Sequence, residues 1–290
     1  MAAAQPSLPA SAREALLAWY RPRARLYAWR RGRPSPYRTL VSELMLQQTQ
    51  AARVEPAYRS FVRRFPTVGA LAAASRADAL RAWAGLGYNR RAVSLHRTAQ
   101  AVVAEHGSHV PVDPVVLRTL PGIGPYTAAA VASIAAAVPV AAIDVNVRRI
   151  VGRVGFGVDP GGATDVDATA ARWLDRSDPG SWNQALMDLG RVHCRAVPRC
   201  DGCPLAARCR YVRAGRAPGP SGARKQAPFE GSMRQVRGSL VDVLRARPSA
   251  GAAALADATG FPLERVVEAL DGLVRDDVVQ RLGRSYRLPT

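Results

Sequence analysis

The sequence predicts an all-α protein of two lobes, followed by a small C-terminal module that ends in a β-hairpin. Three observations carry this. Apolar residues recur at helical spacing from Ala12 onward, and no alternating β pattern of useful length appears before residue 277. The stretch Leu120 to Arg149, LPGIGPYTAAAVASIAAAVPVAAIDVNVRR, reads as the end of one helix, a glycine turn and a small-residue helix. Gly122 and Gly124 allow a tight reversal and close approach of another backbone, and Pro125 suits the first position of a helix. Finally, Cys194, Cys200, Cys203 and Cys209, the only four cysteines, fall within sixteen residues.

Taken in order, residues 1 to about 12 read as disordered. AREALLAWYRPRARLYAW from Ala12 carries apolar residues at helical spacing to Trp19, then a basic segment interleaved with aromatics. Pro34 and Pro36 punctuate it. Tyr37 to Arg53 is the next expected helix, with Leu40, Val41, Leu44 and Met45 as its apolar stripe and Glu43 on the flank. Tyr58 to Phe65, Val68 to Ala74, Ala77 to Ala84 and Arg91 to His106 continue as short helices, separated by Pro66, Ser75 and the Gly85-Leu86-Gly87 turn. Asp113-Pro114 is a cap and a first-turn proline for the helix that enters the glycine turn. Val145 to Gly152, with Asp144 at its N-terminal boundary, Ala168 to Asp175 and Trp182 to Val192 follow, the last delivering Cys194. Tyr211 to Gly231 is rich in Pro, Gly, Ala and Arg and reads as a linker. Arg234 to Arg247, Gly251 to Thr259 and Pro262 to Asp276 give three helices, and 278–281 with 285–288 a hairpin, together a winged-helix pattern. The expected divisions are an arm at 1–33, a helical domain at 34–140, a cysteine-loop domain at 141–212, a linker at 213–233 and the winged-helix-like module at 234–290.

Forty-one basic residues against twenty-two acidic give a net charge of +19, with Lys225 the only lysine. Such an excess favours a polyanionic partner, most simply nucleic acid; the plain alternative is an arginine-rich coding bias with a basic surface. The most apolar stretch, Thr127 to Ile143, is Ala-rich and broken by Ser133 and Pro139, so no membrane span is expected. The first residues carry no basic start or long apolar segment, which argues against a signal peptide and for a cytoplasmic protein.

Clustered cysteines in such a compartment read as a metal site rather than disulfides. Their spacing, C-x5-C-x2-C-x5-C, suits a [4Fe-4S] cluster or a structural zinc equally. Arg195, Arg199, Arg208 and Arg210 around them would make a phosphate-facing surface. Amides at the start of the helix after Gly124 form a site suited to a phosphate of DNA, although glycine turns between helices are common. Asp144 is the only acid between Asp113 and Asp159, and N-capping alone would explain it. Glu43, the one acid between Glu14 and Glu55, reads on helix pattern alone as an exposed flank residue. Tyr88 after its glycine turn is a stacking wedge or a packing residue. His96, His106, His109 and His193 lack ligand-like spacing and read as structural or surface residues.

Taken together, VSELMLQQTQ, WAGLGYNRRA, LPGIGPYTAAAVAS, AIDVNVRRI, NQALMDLG and the four cysteines resemble the adenine DNA glycosylases, the MutY group of the helix-hairpin-helix base-excision repair superfamily. The resemblance covers roughly Arg25 to Arg210. It implies an all-α two-domain helix-hairpin-helix glycosylase fold with a [4Fe-4S] cluster on Cys194, Cys200, Cys203 and Cys209, which decides between iron and zinc. It further implies that Glu43 is the catalytic acid and Asp144 the carboxylate that stabilises the sugar cation. Tyr126 and Asn146 would be their hydrogen-bonding neighbours. Gln48, Thr49 and Tyr88 would enter the base stack beside the mispair, and Gly122 and Gly124 would hold the DNA backbone.

The implied activity is hydrolysis of the N-glycosidic bond of adenine opposite 8-oxoguanine or guanine in double-stranded DNA, by a monomeric, nucleoid-associated bacterial enzyme. Because Lys225 is the only lysine, and Tyr126 stands where the related endonuclease III group carries lysine, base removal without strand cutting is expected. Alternatives are a thymine glycosylase acting on G:T mismatches and a non-catalytic iron-sulfur DNA-binding protein. Three departures from the family's pattern stand out. The first cysteine gap is five residues where six is usual; Val145 follows Asp144 where the family tends to a small or hydroxylated residue; and nothing resembles the Nudix-like C-terminal domain that many members use to read 8-oxoguanine.

Overall fold

The computed structural model describes residues 6–24, 27–32, 35–159, 165–215 and 228–290. Residues 1–5 of the expected disordered start, Pro34, Lys225 and most of the expected linker lie outside them. Helices dominate: α1 (Ala10–Tyr20), α2 (Pro36–Leu46), α3 (Ala51–Arg64), α4 (Val68–Ala73), α5 (Arg76–Ala82), α6 (Arg90–Glu105), α7 (Pro114–Leu117), α8 (Pro125–Ala136), α9 (Val145–Val151), α10 (Asp165–Trp173), α11 (Pro179–Val192) and α12 (Arg210–Arg213). The C-terminal module runs α13 (Met233–Ala246), β1 (Ala250–Gly251), α14 (Ala252–Thr259), α15 (Leu263–Arg275), β2 (Gln280–Leu282) and β3 (Ser285–Arg287).

Short polar side chains open many of these helices by taking an otherwise unpaired amide. Thr67, Ser75, Asp113, Asp144, Asp178 and Ser232 cap α4, α5, α7, α9, α11 and α13. Prolines occupy the first turns of α7, α8 and α11, where the missing N–H costs nothing.

The chain divides into two compact units. One comprises Met1–Leu40, Val112–Arg118 and Gly124–Arg224. The other comprises Val41–Pro111, Thr119–Ile123 and Lys225–Thr290. The division falls inside the hairpin, so α8 belongs with the N-terminal and cysteine-loop segments, whereas the sequence reading assigns it to a helical domain ending at 140.

In the first unit Leu16, Leu17 and Tyr20 of α1 pack with Ile150 and Val151 of α9, Trp173 of α10 and Trp182, Leu186 and Leu189 of α11. Burying Trp173 contributes roughly 4 to 6 kcal/mol of transfer free energy as an upper bound, and its indole Nε1 donates to the Pro6 carbonyl at 3.0 Å. That bond, with Leu8 only 5% exposed, corrects the expectation of disorder to residue 12: Leu8 has an apolar site to fill, and the chain before α1 is held against α10.

In the second unit Phe61 of α3 meets Phe65 and Trp83 edge-on, at 5.0 and 5.9 Å between ring centroids. The C-terminal sheet has the order β1-β3-β2, with Ala250 opposite Tyr286 and Arg281 opposite Tyr286 on the other side. Its first strand was not expected from the sequence: two residues are too few to show alternation.

The single helix expected from Tyr37 to Arg53 is broken at residues 47–50. Gln48 adopts a left-handed φ of +56°, and the amide of Thr49 reaches only the Leu46 carbonyl, at 3.2 Å. The Arg91 guanidinium causes this. It takes the carbonyls of Leu44, Met45 and Gln47, at 2.7, 2.8 and 2.5 Å, which a continuing helix would have used itself.

Candidate active site

Glu43 sits on α2 and is only 6% exposed, which overturns the flank reading that helix periodicity favours. The helix has buried residues all round at this point, from Leu40 and Val41 through Ser42 to Leu44 and Met45. A carboxyl in such surroundings is costly to hold charged unless it is partnered.

Asp144 sits at the N-terminus of α9, half-buried. Its Oδ1 accepts from the amides of Asn146 and Val147, at 2.9 and 2.8 Å, and its Oδ2 accepts from Asn146 Nδ2 at 2.6 Å. N-capping and function are therefore compatible, since the cap fixes the carboxylate's direction. Val145, between the two, is 68% exposed. Tyr126, in the first turn of α8, directs its hydroxyl to Met187 Sδ at 3.3 Å.

Two polar residues missed by the sequence reading hold this arrangement. Asn183 of α11 is buried; its Nδ2 donates to Ser133 Oγ and to the Val140 carbonyl, both at 2.9 Å, and its Oδ1 accepts from the Ala142 amide at 3.1 Å. That clamps the loop between α8 and Asp144. Arg149 donates to Asn146 Oδ1 at 2.6 Å and to the Cys194 carbonyl at 2.7 Å. A chain of hydrogen bonds thus runs from Asp144 through Asn146 and Arg149 to the first cysteine. Within NQALMDLG, only the spacing of Asn183 and Asp188 on an apolar helix hinted at buried polar work; Asp188 forms a two-pronged ion pair with Arg30, at 2.7 and 3.1 Å.

The four cysteines are free thiols. Burial pushes the Cys203 thiol up to about 11, reinforced by Cys194, Cys209 and Cys200. Among the described residues, no three of His, Cys, Asp or Glu stand close enough together to hold a single metal ion. Zinc needs its four donors on one point at ~2.3 Å, whereas a cubane offers each thiolate its own iron. Four thiols on one loop, electrostatically coupled at Cys203, are the donor set that such a cluster takes. Arg153, 1% exposed, continues the chain of arginines one turn beyond Arg149. It reaches Cys194 Sγ at 3.7 Å and the carbonyls of Arg195 and Ala196 at 2.5 and 2.9 Å, with Asp159 at 2.6 Å as counter-ion. It therefore shapes the first, shortened gap of the loop. Arg195, Arg199, Arg208 and Arg210 are exposed around it.

In the hairpin the two glycines differ. Gly122 has φ +76°, and a Cβ there would lie 2.6 Å from the Ser94 side chain, so both conformation and space demand glycine. Gly124 is extended, at φ −86° and ψ 173°, with nothing within 4 Å of an added Cβ. The space beside it at the start of α8 is open.

In the second unit Thr49, Gln48 and Tyr88 come together around Arg91. Besides the carbonyls of Leu44, Met45 and Gln47, Arg91 donates to Thr49 Oγ1 at 3.0 Å and to the carbonyls of Leu86 and Gly87, each at 3.2 Å. Burial pulls its pKa down to about 10, which leaves it charged at neutral pH. Tyr88 is 39% exposed, with an uncommon φ of +45°. Of the histidines, His96 is buried, with Nε2 2.8 Å from the Ala74 carbonyl, consistent with a structural role.

Residues 41–175 match the family described as HhH-GPD superfamily base excision DNA repair protein. A protein named adenine DNA glycosylase from Mycolicibacterium smegmatis is 43% identical over 271 residues, spanning 92% of each chain. The protein of that name from Homo sapiens is 39% identical over 211 residues, 68% of this chain and 39% of its own. Among solved structures, a thermostable thymine-DNA glycosylase superposes with a TM-score of 0.63 at 24% identity, over 70% of this chain and 95% of that one. A non-covalent endonuclease III–DNA complex gives 0.59 at 23%, over 70% and 94%. At these identities the structures establish the fold alone.

Proposed function

Because the chain belongs to the adenine DNA glycosylases of the HhH-GPD superfamily of base excision DNA repair proteins, we propose that it flips adenine out of a mispair with 8-oxoguanine or guanine and hydrolyses its N-glycosidic bond. It is an adenine-specific DNA N-glycosylase of base excision repair. The observation that carries this is the relative 43% identical over 92% of both chains.

Adenine leaves poorly as an anion, so the step needs a proton donor, and the enclosed carboxyl of Glu43 is that donor. Asp144, aimed by its helix cap and by Asn146, stabilises the oxocarbenium-like sugar by charge or transient bonding before water attacks. Extruding the base costs a few kcal/mol, less at a mismatch, which contributes selectivity. Gln48, Thr49 and Tyr88 fill the stack, and Gly122 and Gly124 take the backbone. Cys194, Cys200, Cys203 and Cys209 would hold a [4Fe-4S] cluster, which when bound would cross-link the 194–209 loop; Arg149 and Arg153 tie that loop to α9 and its continuation. With tyrosine at 126 and no lysine but Lys225, the enzyme is monofunctional. We place it in the cytoplasm, at the nucleoid, as a monomer.

Labelled A:8-oxoG, A:G and T:G duplexes, treated with alkali after incubation, test the assignment: breaks at adenine are expected, and breaks only at thymine would overturn it. Glu43→Gln and Asp144→Asn should each abolish base release; wild-type rates in both would remove these carboxylates from the mechanism. About four irons per chain are expected from the loop of four thiolates, and one zinc would contradict it. Stoichiometric borohydride trapping through an amine would count against monofunctional chemistry.

A further inference from the structure

Residues 228–290 carry nine arginines against eight acidic side chains, a net of +1 out of +19. A module that binds nucleic acid by itself would be expected to hold a share of the basic excess. Instead four of its charged side chains, Arg234, Arg245, Asp276 and Asp277, reach the helical part of its own unit. Asp277 pairs with Arg97 and lies 3.9 Å from Arg76, and Asp276 pairs with Arg237 and lies 3.8 Å from Arg90. The Pro289 carbonyl accepts from the Ala77 amide at 2.7 Å.

The docking converges on one place. Arg245 of α13, oriented by Asp242, donates Nε to the Leu80 carbonyl at 3.0 Å and Nη2 to Asn89 Oδ1 at 2.8 Å. Asn89 is buried and directly follows Tyr88. Arg234, near the start of α13, reaches the Tyr88 hydroxyl at 3.5 Å. From the other side, Arg91 gathers the Gln48 and Tyr88 turns on one guanidinium, and Thr49 Oγ1 links them directly through the Leu86 carbonyl at 3.4 Å. Gln48 and Tyr88 are both left-handed without being glycine, a conformation that persists only where the surroundings enforce it. Between these turns and α13 lies a cavity of about 1130 Å3, with Gln48, Tyr88, Arg90, Phe229, Arg234 and Arg237 in its wall.

We propose that the C-terminal module is a positioning brace for the two turns: Arg245, through Asn89, together with Arg234 on Tyr88, presets Gln48 and Tyr88 for entry into the duplex, while Arg91 holds the same turns from within. This rests on the reading above that Gln48 and Tyr88 enter the base stack. The module acts on DNA through those two residues, and Arg245 is a positioning residue.

The test uses the full chain and a duplex with 2-aminopurine beside the mispaired adenine, whose fluorescence rises when the stack is opened. Arg245→Ala should keep its affinity for undamaged duplex within about twofold, lose most of the fluorescence rise, and slow single-turnover adenine release more than tenfold at subsaturating enzyme. Arg245→Lys, whose compact ammonium lacks the planar fork that reaches both acceptors, should fall between. Asn89→Ala removes the acceptor instead of the donor, and the double variant should be no worse than either single one; it also serves if Arg245→Ala folds poorly. A wild-type fluorescence rise and release rate in both Arg245→Ala and Asn89→Ala would overturn the brace. So would a parallel loss of undamaged-duplex affinity with a reduced salt slope, since that marks Arg245 as a phosphate contact. A wild-type protein that opens the stack but releases no adenine would count against the glycosylase reading and leave the brace standing.

Discussion

Gly190, on the α11 face toward α9, offers the sharpest single test of how Asp144 is aimed. A Cβ added there would lie 2.7 Å from Asn146 Cβ and 3.3 Å from its Cγ. Since Cβ atoms do not approach within 3.0 Å, Asn146 must retreat by several tenths of an ångström, and its 2.6 Å bond to Asp144 Oδ2 has no slack to follow. Two effects oppose each other. Alanine is the better helix former by about 1 kcal/mol, while overpacking costs about 1–3 kcal/mol. Gly190→Ala should therefore be destabilised by about 0–2 kcal/mol in urea denaturation, a small net change. Catalysis should suffer more: a hydrogen bond to a charged group is worth about 1.5–3 kcal/mol, so single-turnover base release should fall about 10- to 100-fold. A variant that is more stable than wild type and releases base at the wild-type rate would refute the claim that Asn146 aims Asp144.

Three further outcomes follow from buried polar groups. His96 is pushed below the ordinary histidine range by burial, helped by Arg76 and opposed by its bond to the Ala74 carbonyl; the unfolded chain thus binds the proton more readily, so stability should decline as pH drops below about 6.5, and a His96→Gln variant should flatten that part of the pH–stability curve. Breaking the enclosed Arg30–Asp188 pair with Asp188→Ala should cost about 3–5 kcal/mol, seen as a lowered thermal midpoint, and Arg30→Met with Asp188→Leu together should recover much of it; an equal loss in the double variant would mean that packing, not charge, dominates. Arg153→Gln, which loses hold of Cys194 and the 195–196 carbonyls, should retain less iron per chain after aerobic purification, and an unchanged iron content would show that the short loop needs no such support.

Local chemistry determined a great deal from the sequence alone. Pro125 after a glycine turn, Asp113 and Asp144 at helix starts, and the clustering of four cysteines each act within a few residues, so the hairpin, the capped helices and the thiol loop were legible, and the resemblance supplied their chemistry. What the tertiary structure decided came from partners far apart in the chain. Periodicity left Glu43 on an exposed flank because it sees only the helix's own neighbours; burial all round α2 enclosed it. The break at 47–50 was invisible because Arg91, more than forty residues on, removes the carbonyls that would have continued the helix. Leu8 and Pro6 were ordered by Trp173. A buried guanidinium has no local signature: Arg91 and Arg153 look like any of the chain's other arginines until the fold surrounds them with carbonyls, and desolvation then makes losing those contacts costly.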